Sequence, residues 1–545
     1  AGAWSSAECG LFSTDVECDP SDAEAALAAM KAVIEKFKQQ GPTAAELDKA
    51  VRSTIAGQLR SMATTRGQAS TLGHGWLTSS SLEYSRLFLD AIRSLTRQRV
   101  QDAAQRYLND ATSNEVIVEP EGTVATAKPS ASQTSGRPAI ERIVLPNGLT
   151  LLLGKNPRLP LVSIRAGFFA GVLAESDTNG GLTQVTAQML LKGTKTRTAD
   201  EIASVLEKRG GGINASGDAH RLVFASDVVK GDETLALDLV ADLIRNASLP
   251  AKQLALVQKR QIASIREEQE DPLTVAMRRA RKEIFAGTPF HRTALGTEAS
   301  VTGLKIADCK TLLRDHLTGA NGVVTVIGDI DPAAIRKQVQ ASLGKLPKGS
   351  RHFSELRDLP RQSKPGTWDL KLDKEQAVLV IGFRTVGLHS PDSYVLSMID
   401  EACSDMGSRL FNRIREELGL AYYVGAQSFM AYGAGAFYFY VGTDPAKLDL
   451  AQKEMQLQIA DLAKNGLRAD ELERAKITWK SNWLKTQQGN GGLADAISWD
   501  ELNGLGHSHL ERLPGIIDAI SVKDVKRVAK QFFQSAHIVR VVPKG

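Results

Sequence analysis

Cysteine is scarce. The 545 residues contain four, Cys9, Cys18, Cys309 and Cys403, too few and too irregularly spaced for a disulfide framework or a thiolate zinc site. Long apolar runs are absent as well: the longest, such as Ala377–Phe383 and Val323–Ile327, have the length of a strand and fall far short of the ~20 residues that cross a bilayer, so no membrane span is expected. Charge of one sign is nowhere concentrated. Lys and Arg total 67 against 62 Asp and Glu, and the excess of +5 is spread along the chain, which implies no nucleic-acid partner. The opening AGAWSSAECGLF has neither a charged n-region nor an apolar h-region, and any targeting segment is expected to lie outside this sequence. What is present is ordinary folding material, 42% hydrophobic and 24% charged, in a length that corresponds to roughly three to five domains of ~100–200 residues.

The start of the chain resembles its end at a constant offset of 425 positions, the mark of an internal repeat. Gly10, Phe12, Val16, Asp19 and Pro20 meet Gly435, Phe437, Val441, Asp444 and Pro445; Gly41, Glu46, Leu47 and Ala50 meet Gly466, Glu471, Leu472 and Ala475. Each copy reads as a strand, a helix (Ala23–Gln39 or Leu448–Lys464), a glycine break, a second helix beginning near Glu46 or Glu471, and a last helix opened by a hydroxyl cap, Thr96 or Ser521. Each closes on a β-branched run, Glu115–Val118 or Ile538–Val542. The second copy is preceded by a strand (Ala377–Gly382), a helix (Pro391–Asp405, capped by Ser390), a short helix with turn (Arg409–Leu420) and another strand. Residues 1–120 are therefore expected to be the C-terminal part of a domain that begins outside this sequence.

Residues 121–138 (EGTVATAKPSASQTSGRP) have the composition of a flexible linker or hinge. Residues 139–346 alternate strands (Thr150–Leu153, Val162–Phe169, Leu222–Val228, Val323–Ile327) with helices (Gly181–Leu191, Ala199–Arg209, Glu233–Arg245, Ala251–Gln269). A second connector at 347–367 leads to a last domain at 368–545. The expected fold class is α+β: repeated α/β domains, each a mixed, mostly antiparallel sheet with helices packed on one face.

Within the helix at 181–191, the stretch Gly181-Leu-Thr-Gln184-Val-Thr-Ala187-Gln188 resembles the helix of the insulinase/pitrilysin metallopeptidases, which carries the inverted zinc motif H-x-x-E-H. In that family two histidines one turn apart hold the metal and the glutamate between them is the general base. Here the first histidine falls on Gln184, the glutamate on Ala187 and the second histidine on Gln188. An amide is a poor substitute for imidazole and a methyl group moves no proton. The family's third ligand would fall at 263–265, Ala-Ser-Ile, with Glu267 and Glu268 out of register. No zinc is expected on this chain. The flanking Gly211-Gly-Ile-Asn214-Ala215, Thr288-Pro-Phe-His291 and Val326-Ile-Gly328-Asp329 are similar to the family too; read locally, Asn214 and Gly328 are turn residues at strand ends.

In the last domain, Ser408-Arg-Leu-Phe-Asn-Arg-Ile-Arg415-Glu-Glu-Leu-Gly419-Leu-Ala-Tyr422 resembles the family's arginine–tyrosine pair, seven residues apart with a glycine between to end the helix. The resemblance implies that Arg415 and Tyr422 bind substrate and stabilise the oxyanion at a zinc site held by another half of the molecule. It further implies a part of a zinc metalloendopeptidase acting on peptides or unfolded segments in a closed chamber, with zinc in the parent enzyme and either an N-terminal half or a metal-bearing partner subunit completing it. The alternatives are a non-catalytic partner subunit and a structural or binding protein on the same scaffold. The compartment is open, with the periplasm the leading choice. His507 and His509 read as surface histidines in a loop, His291 and His316 as isolated, and the basic run Arg278–Lys282 as a solvated helix face.

Overall fold

The computed structural model describes residues 2–5, 10–16, 18, 22–61, 65–108, 113, 137–158, 160–209, 211–352, 359, 363–487 and 489–544. The expected strand at 115–118, residues 121–136 of the expected linker and parts of the 347–367 connector lie outside the described residues. The chain divides into two compact units, residues 1–135 and 136–545.

In the smaller unit, strand β1 (Gly2–Ser5) pairs antiparallel with β2 (Gly10–Ser13), followed by helices α1 (Ala23–Gln40), α2 (Ala44–Ser61), α3 (Thr65–Ser79), α4 (Tyr84–Arg93) and α5 (Arg97–Tyr107). Gly41, at φ +63°, turns the chain out of α1. A reciprocal cap then opens α2, Thr43 N donating to Glu46 Oε2 at 2.7 Å while Glu46 N donates to Thr43 Oγ1 at 3.2 Å. The Thr96 hydroxyl caps α5 as the sequence predicts, accepting from Arg99 N at 3.3 Å. Amides from α5 hold it to the end of α1, with Gln101 and Gln105 both donating to Lys38 O.

The larger unit holds two sheets. The first contains β3 (Ile140–Val144), β4 (Thr150–Lys155), β5 (Leu161–Phe169), β6 (Gly212–Gly217), β7 (Arg221–Val229) and β8 (Gly322–Gly328) in the order β3-β4-β8-β5-β7-β6, antiparallel except for β4–β8. With it come α6 (Leu182–Leu190), α7 (Ala199–Glu207), α8 (Glu233–Asn246), α9 (Ala251–Glu270), α10 (Pro272–Ile284), α11 (Glu298–Gly303), α12 (Ile306–His316) and α13 (Pro332–Ser342). The second sheet is built from β9 (Gly366–Leu372), β10 (Ala377–Thr385), β11 (Ala421–Ala431), β12 (Ala434–Thr443) and β13 (His537–Pro543), ordered β11-β12-β10-β13-β9 with only β13–β9 parallel. Its helices are α14 (Asp392–Ser404), α15 (Leu448–Asn465), α16 (Ala469–Thr486), α17 (Asn490–Leu502), α18 (His509–Ala519) and α19 (Val522–Phe532). The fold is α+β with mixed, mostly antiparallel sheets.

Both sheets are buried on both faces, which is why β10 reads as an unbroken apolar run. Leu379, Ile381 and Phe383 face the core under the sheet's own helices, while Val378 and Val380 face a third core between the two sheets. β4 divides in the same way, with Leu151 and Leu153 on one side and Leu152 on the other. The helices that close these second faces are exchanged: α10 lies on β10 and β13, and α17 lies on β5 and β8. The sequence predicted helices on one face; the other is covered by the neighbouring sheet's helix, a long-range pairing that no local pattern records. This exchange also corrects the reading of Arg278–Lys282. Arg281 is drawn between the sheets, donating to Phe290 O at 2.8 Å with its guanidinium 4.2 Å over the Phe429 ring, and burial lowers its pKa.

The repeat is visible in the elements themselves. At the offset of 425, α1, α2 and α5 coincide with α15, α16 and α19 at both ends, and α3 and α4 begin where α17 and α18 begin.

Candidate functional site

Helix α6 starts against the carboxylate of Glu175, which accepts from Gly181 N at 2.9 Å and Thr183 N at 2.8 Å, two donors with no partner inside the helix. Gly181 enters at φ +87°, and a Cβ there would sit 2.4 Å from Leu295 O. One face of the helix is core: Val185, Ala187, Met189 and Leu190 are fully buried. Gln184 and Gln188, one turn apart, point together at β6, the edge of the six-stranded sheet. Gln184 Oε1 accepts from Gly217 N at 2.7 Å, and Gln188 Nε2 donates to Ala215 O at 2.9 Å. The two amides thus take up main-chain groups on the open side of an edge strand. Asn214, read locally as a turn residue, lies inside β6, whose pairing with β7 carries the chain straight through it.

From α9 the side chain that reaches α6 is Gln261, whose amide donates to Gly181 O at 3.1 Å and Leu295 O at 2.8 Å. Sequence reasoning looked three residues further on. The signal was there, since Val257, Gln261 and Ile265 form a buried i, i+4, i+8 stripe in which only the middle residue is polar. Two hydrogen-bonded amides, a buried methyl group and a third amide do not fit a zinc ion, which takes imidazole, thiolate or carboxylate. Among the described residues no group of three or more His, Cys, Asp or Glu is arranged to hold a metal.

The second sheet latches its edge in the same manner. On α14, Asp400 accepts from Ser428 N at 2.8 Å and Ser404 Oγ donates to Ala426 O at 2.9 Å, again two side chains one turn apart holding one N–H and one C=O of the edge strand β11. The two edge hairpins meet at their tips. His220 Nε2, in the β6–β7 turn, accepts from Tyr432 N in the β11–β12 turn at 3.1 Å, and burial lowers the His220 pKa to about 4.

Arg415 and Tyr422 flank the start of β11. Arg409 anchors the segment, giving Nη2 and Nε to the buried Glu471 and Nη1 to Asp461 at 2.9 Å. A π-helical turn, Phe411–Glu417, follows and presents Arg415. Its guanidinium lies 4.9 Å over the Phe411 ring and 3.9 Å from Glu416, with 45% of the side chain exposed. Gly419, at φ +58°, ends the turn, Gly419 N and Leu420 N returning to Arg415 O and Ile414 O. The chain then enters β11 through a bulge. Ala421 pairs with Thr443 and Tyr423 with Gly442, which leaves Tyr422 as the extra residue, 53% exposed at the sheet edge. The sequence spacing is thus explained by a widened turn, a left-handed glycine and a bulge.

The histidines that the sequence singled out as isolated or loop-borne have neighbours. His509 is buried, with Nδ1 2.9 Å from Asp500 Oδ2 and Nε2 2.8 Å from Tyr394 Oη, so it opens α18 instead of standing in a surface loop. His291 Nε2 lies 2.9 Å from Asp177, and His316 stacks on His352 at 4.5 Å. None was isolated; their partners lie far away in sequence.

An α+β body of two mixed, mostly antiparallel sheets with their helices is that of an insulinase-type peptidase fold. The family model described as insulinase (peptidase family M16) matches residues 151–298, and that described as peptidase M16 inactive domain matches 1–54 and 304–478. The chain belongs to the M16 peptidase family. It is 26% identical over 401 residues to an uncharacterized zinc protease of Rickettsia bellii, covering 73% of this chain and 96% of that one, and 24% identical over 409 residues to one of Bacillus subtilis, covering 74% and 99%. Its fold is similar to the crystal structure of a peptidase M16 inactive domain from Pseudomonas fluorescens, with TM-score 0.69 and 21% identity over 74% of this chain and 98% of that one. It is also similar to a protease from Helicobacter pylori, with TM-score 0.68 and 18% identity over 75% and 100%.

Proposed function

We propose that this chain is the substrate-positioning part of an M16 zinc endopeptidase, without a metal of its own, and that Arg415 and Tyr422 act at a zinc site held by another half. One contrast carries the reading. At α6 Gln184 and Gln188 are consumed by hydrogen bonds to β6, whereas Arg415 and Tyr422 stand exposed at the edge of the other sheet. A guanidinium and a phenol aimed at a developing oxyanion lower the barrier by ~3–4 kcal/mol when water is excluded. Residues 139–346 form the degenerate domain, 368–545 the Arg–Tyr domain and 1–120 part of a further one. Substrates are peptides or unfolded segments that add to a sheet edge through main-chain hydrogen bonds. Zinc belongs to the complete enzyme, and this chain alone hydrolyses nothing.

A second reading, a non-catalytic subunit that lends Arg and Tyr to a separate zinc-bearing chain, is favoured by the relatives whose whole length corresponds to about three quarters of this chain. Both readings place the same demand on Arg415. In a preparation containing both halves, Arg415→Ala should lower kcat by about 10²–10³ with KM changed only a few-fold. Unchanged kcat would refute both and leave a binding scaffold.

A further inference from the structure

We infer that the smaller unit carries a docking groove for an amphipathic helix followed by an arginine, and that the zinc-bearing half of the peptidase supplies it; the inference rests on the function proposed above. The groove, about 480 Å³, is lined by Phe37, Glu46, Leu47, Val51, Ile92 and Leu95. All six are at least partly accessible to solvent. Their counterparts 425 residues on, Leu462, Glu471, Leu472, Lys476, Ile517 and Ile520, are all buried, the most exposed at 8%.

The second copy therefore displays what such a groove holds. Over it lies α14, whose Val395, Ile399, Ala402 and Cys403 join the same core as Leu462, Leu472, Ile517 and Ile520. Beyond α14, Arg409 reaches down to Glu471 and to Gly466 O. In the smaller unit two of the three groups that hold that arginine have their counterparts, Glu46 for Glu471 and Gly41 for Gly466. Glu46 takes its hydrogen bonds from Thr43 N and Oγ1, and Arg97, the nearby cation, donates to Pro42 O. The third is reversed: Lys36 stands where Asp461 stands in the second copy, so the incoming arginine meets one carboxylate and a lysine instead of two carboxylates.

An independent surface points to the same partner. On α3, Leu72 and Leu77 are 44% and 82% exposed, whereas their counterparts on α17, Ile497 and Leu502, are 0% and 2% exposed, α17 being packed on β5 and β8. The partner thus brings a sheet for α3 as well as a helix for the groove, the two parts an M16 body offers.

The test is a fluorescein-labelled peptide of residues 391–415, with Cys403→Ser, titrated with the full chain by fluorescence anisotropy. Saturable binding at about 1–100 μM is expected, lost with Leu47→Asp and weakened about tenfold by Glu46→Gln. Arg409→Ala in the peptide should weaken it about as much, and the two changes together should cost little more than either. Glu46→Gln replaces an exposed carboxylate and keeps the fold, which circular dichroism verifies. No saturation up to about 1 mM, or binding indifferent to Glu46→Gln and Leu47→Asp, overturns the inference. Turnover plays no part in the titration, so a failure here is distinct from the failure of the Arg415 experiment.

Discussion

The outer edges of the two sheets in the larger unit are built alike and end differently. On β6 a pair of helix side chains, Gln184 and Gln188, holds one N–H and one C=O; on β11 Asp400 and Ser404 do the same. Unpaired edge groups invite another strand, and both latches blunt that tendency at the middle of the edge. The difference is what lies beyond the latch. Beside β6 the helix's other side chains from Leu182 to Leu190 are buried, while β11 starts with a bulge and a π-helical turn that hold Tyr422 and Arg415 in solvent. Both edges are closed by the same device, and only at β11 does a local irregularity aim side chains outward.

The largest effect on this contrast should come from the anchor of the turn. Arg409→Ala takes the two-pronged guanidinium from the buried Glu471 and leaves it Arg468 Nη1 at 3.4 Å, so the larger unit is expected to lose about 3 kcal/mol, read by denaturant unfolding. A loss under about 1 kcal/mol would mean that the turn is held by something else. Acid should act on the junction of the two hairpins. His220 and His316 have pKa values lowered to about 4 by burial, so between pH 6.5 and 4 the unfolded chain binds more protons and stability falls as pH falls. The full effect is roughly 3 kcal/mol for each histidine, and His220→Gln should flatten the lower part of the stability–pH curve. Next comes Gly442, where a Cβ would lie 2.3 Å from the Tyr423 ring that the bulge sets over it. Gly442→Ala should cost about 1–3 kcal/mol and lower turnover in the complete enzyme through the displaced Tyr422. Smallest are the glutamines: Gln184→Ala and Gln188→Ala should each cost about 1 kcal/mol and leave metal content unchanged. A change in bound zinc in either variant would erase the contrast between the two edges.

The sequence made much of this readable. The sequence placed the first helix of each copy to within a residue, Ala23–Gln39 against Ala23–Gln40 and Leu448–Lys464 against Leu448–Asn465, because caps such as Thr96 and Ser521 and breaks such as Gly41 and Gly466 are local devices. The glutamine pair at 184 and 188 and the seven-residue spacing from Arg415 to Tyr422 were also legible. Exchange of α10 and α17 was not, because a helix buried against a distant sheet looks like any amphipathic helix. Nor were the partners of His291 and His509, which come from residues brought close only by the fold. The latch itself was hidden: two glutamines one turn apart read as a polar helix face, and only the edge strand beside them shows what they hold.

The account's central claim is that this chain positions substrate for a metal it does not hold. The most direct measurement is zinc content by metal analysis, with hydrolysis of an unfolded peptide, on the purified full chain after dialysis against zinc. The account predicts no stoichiometric zinc and no cleavage. One zinc per chain with cleavage that Gln188→Ala abolishes would contradict it.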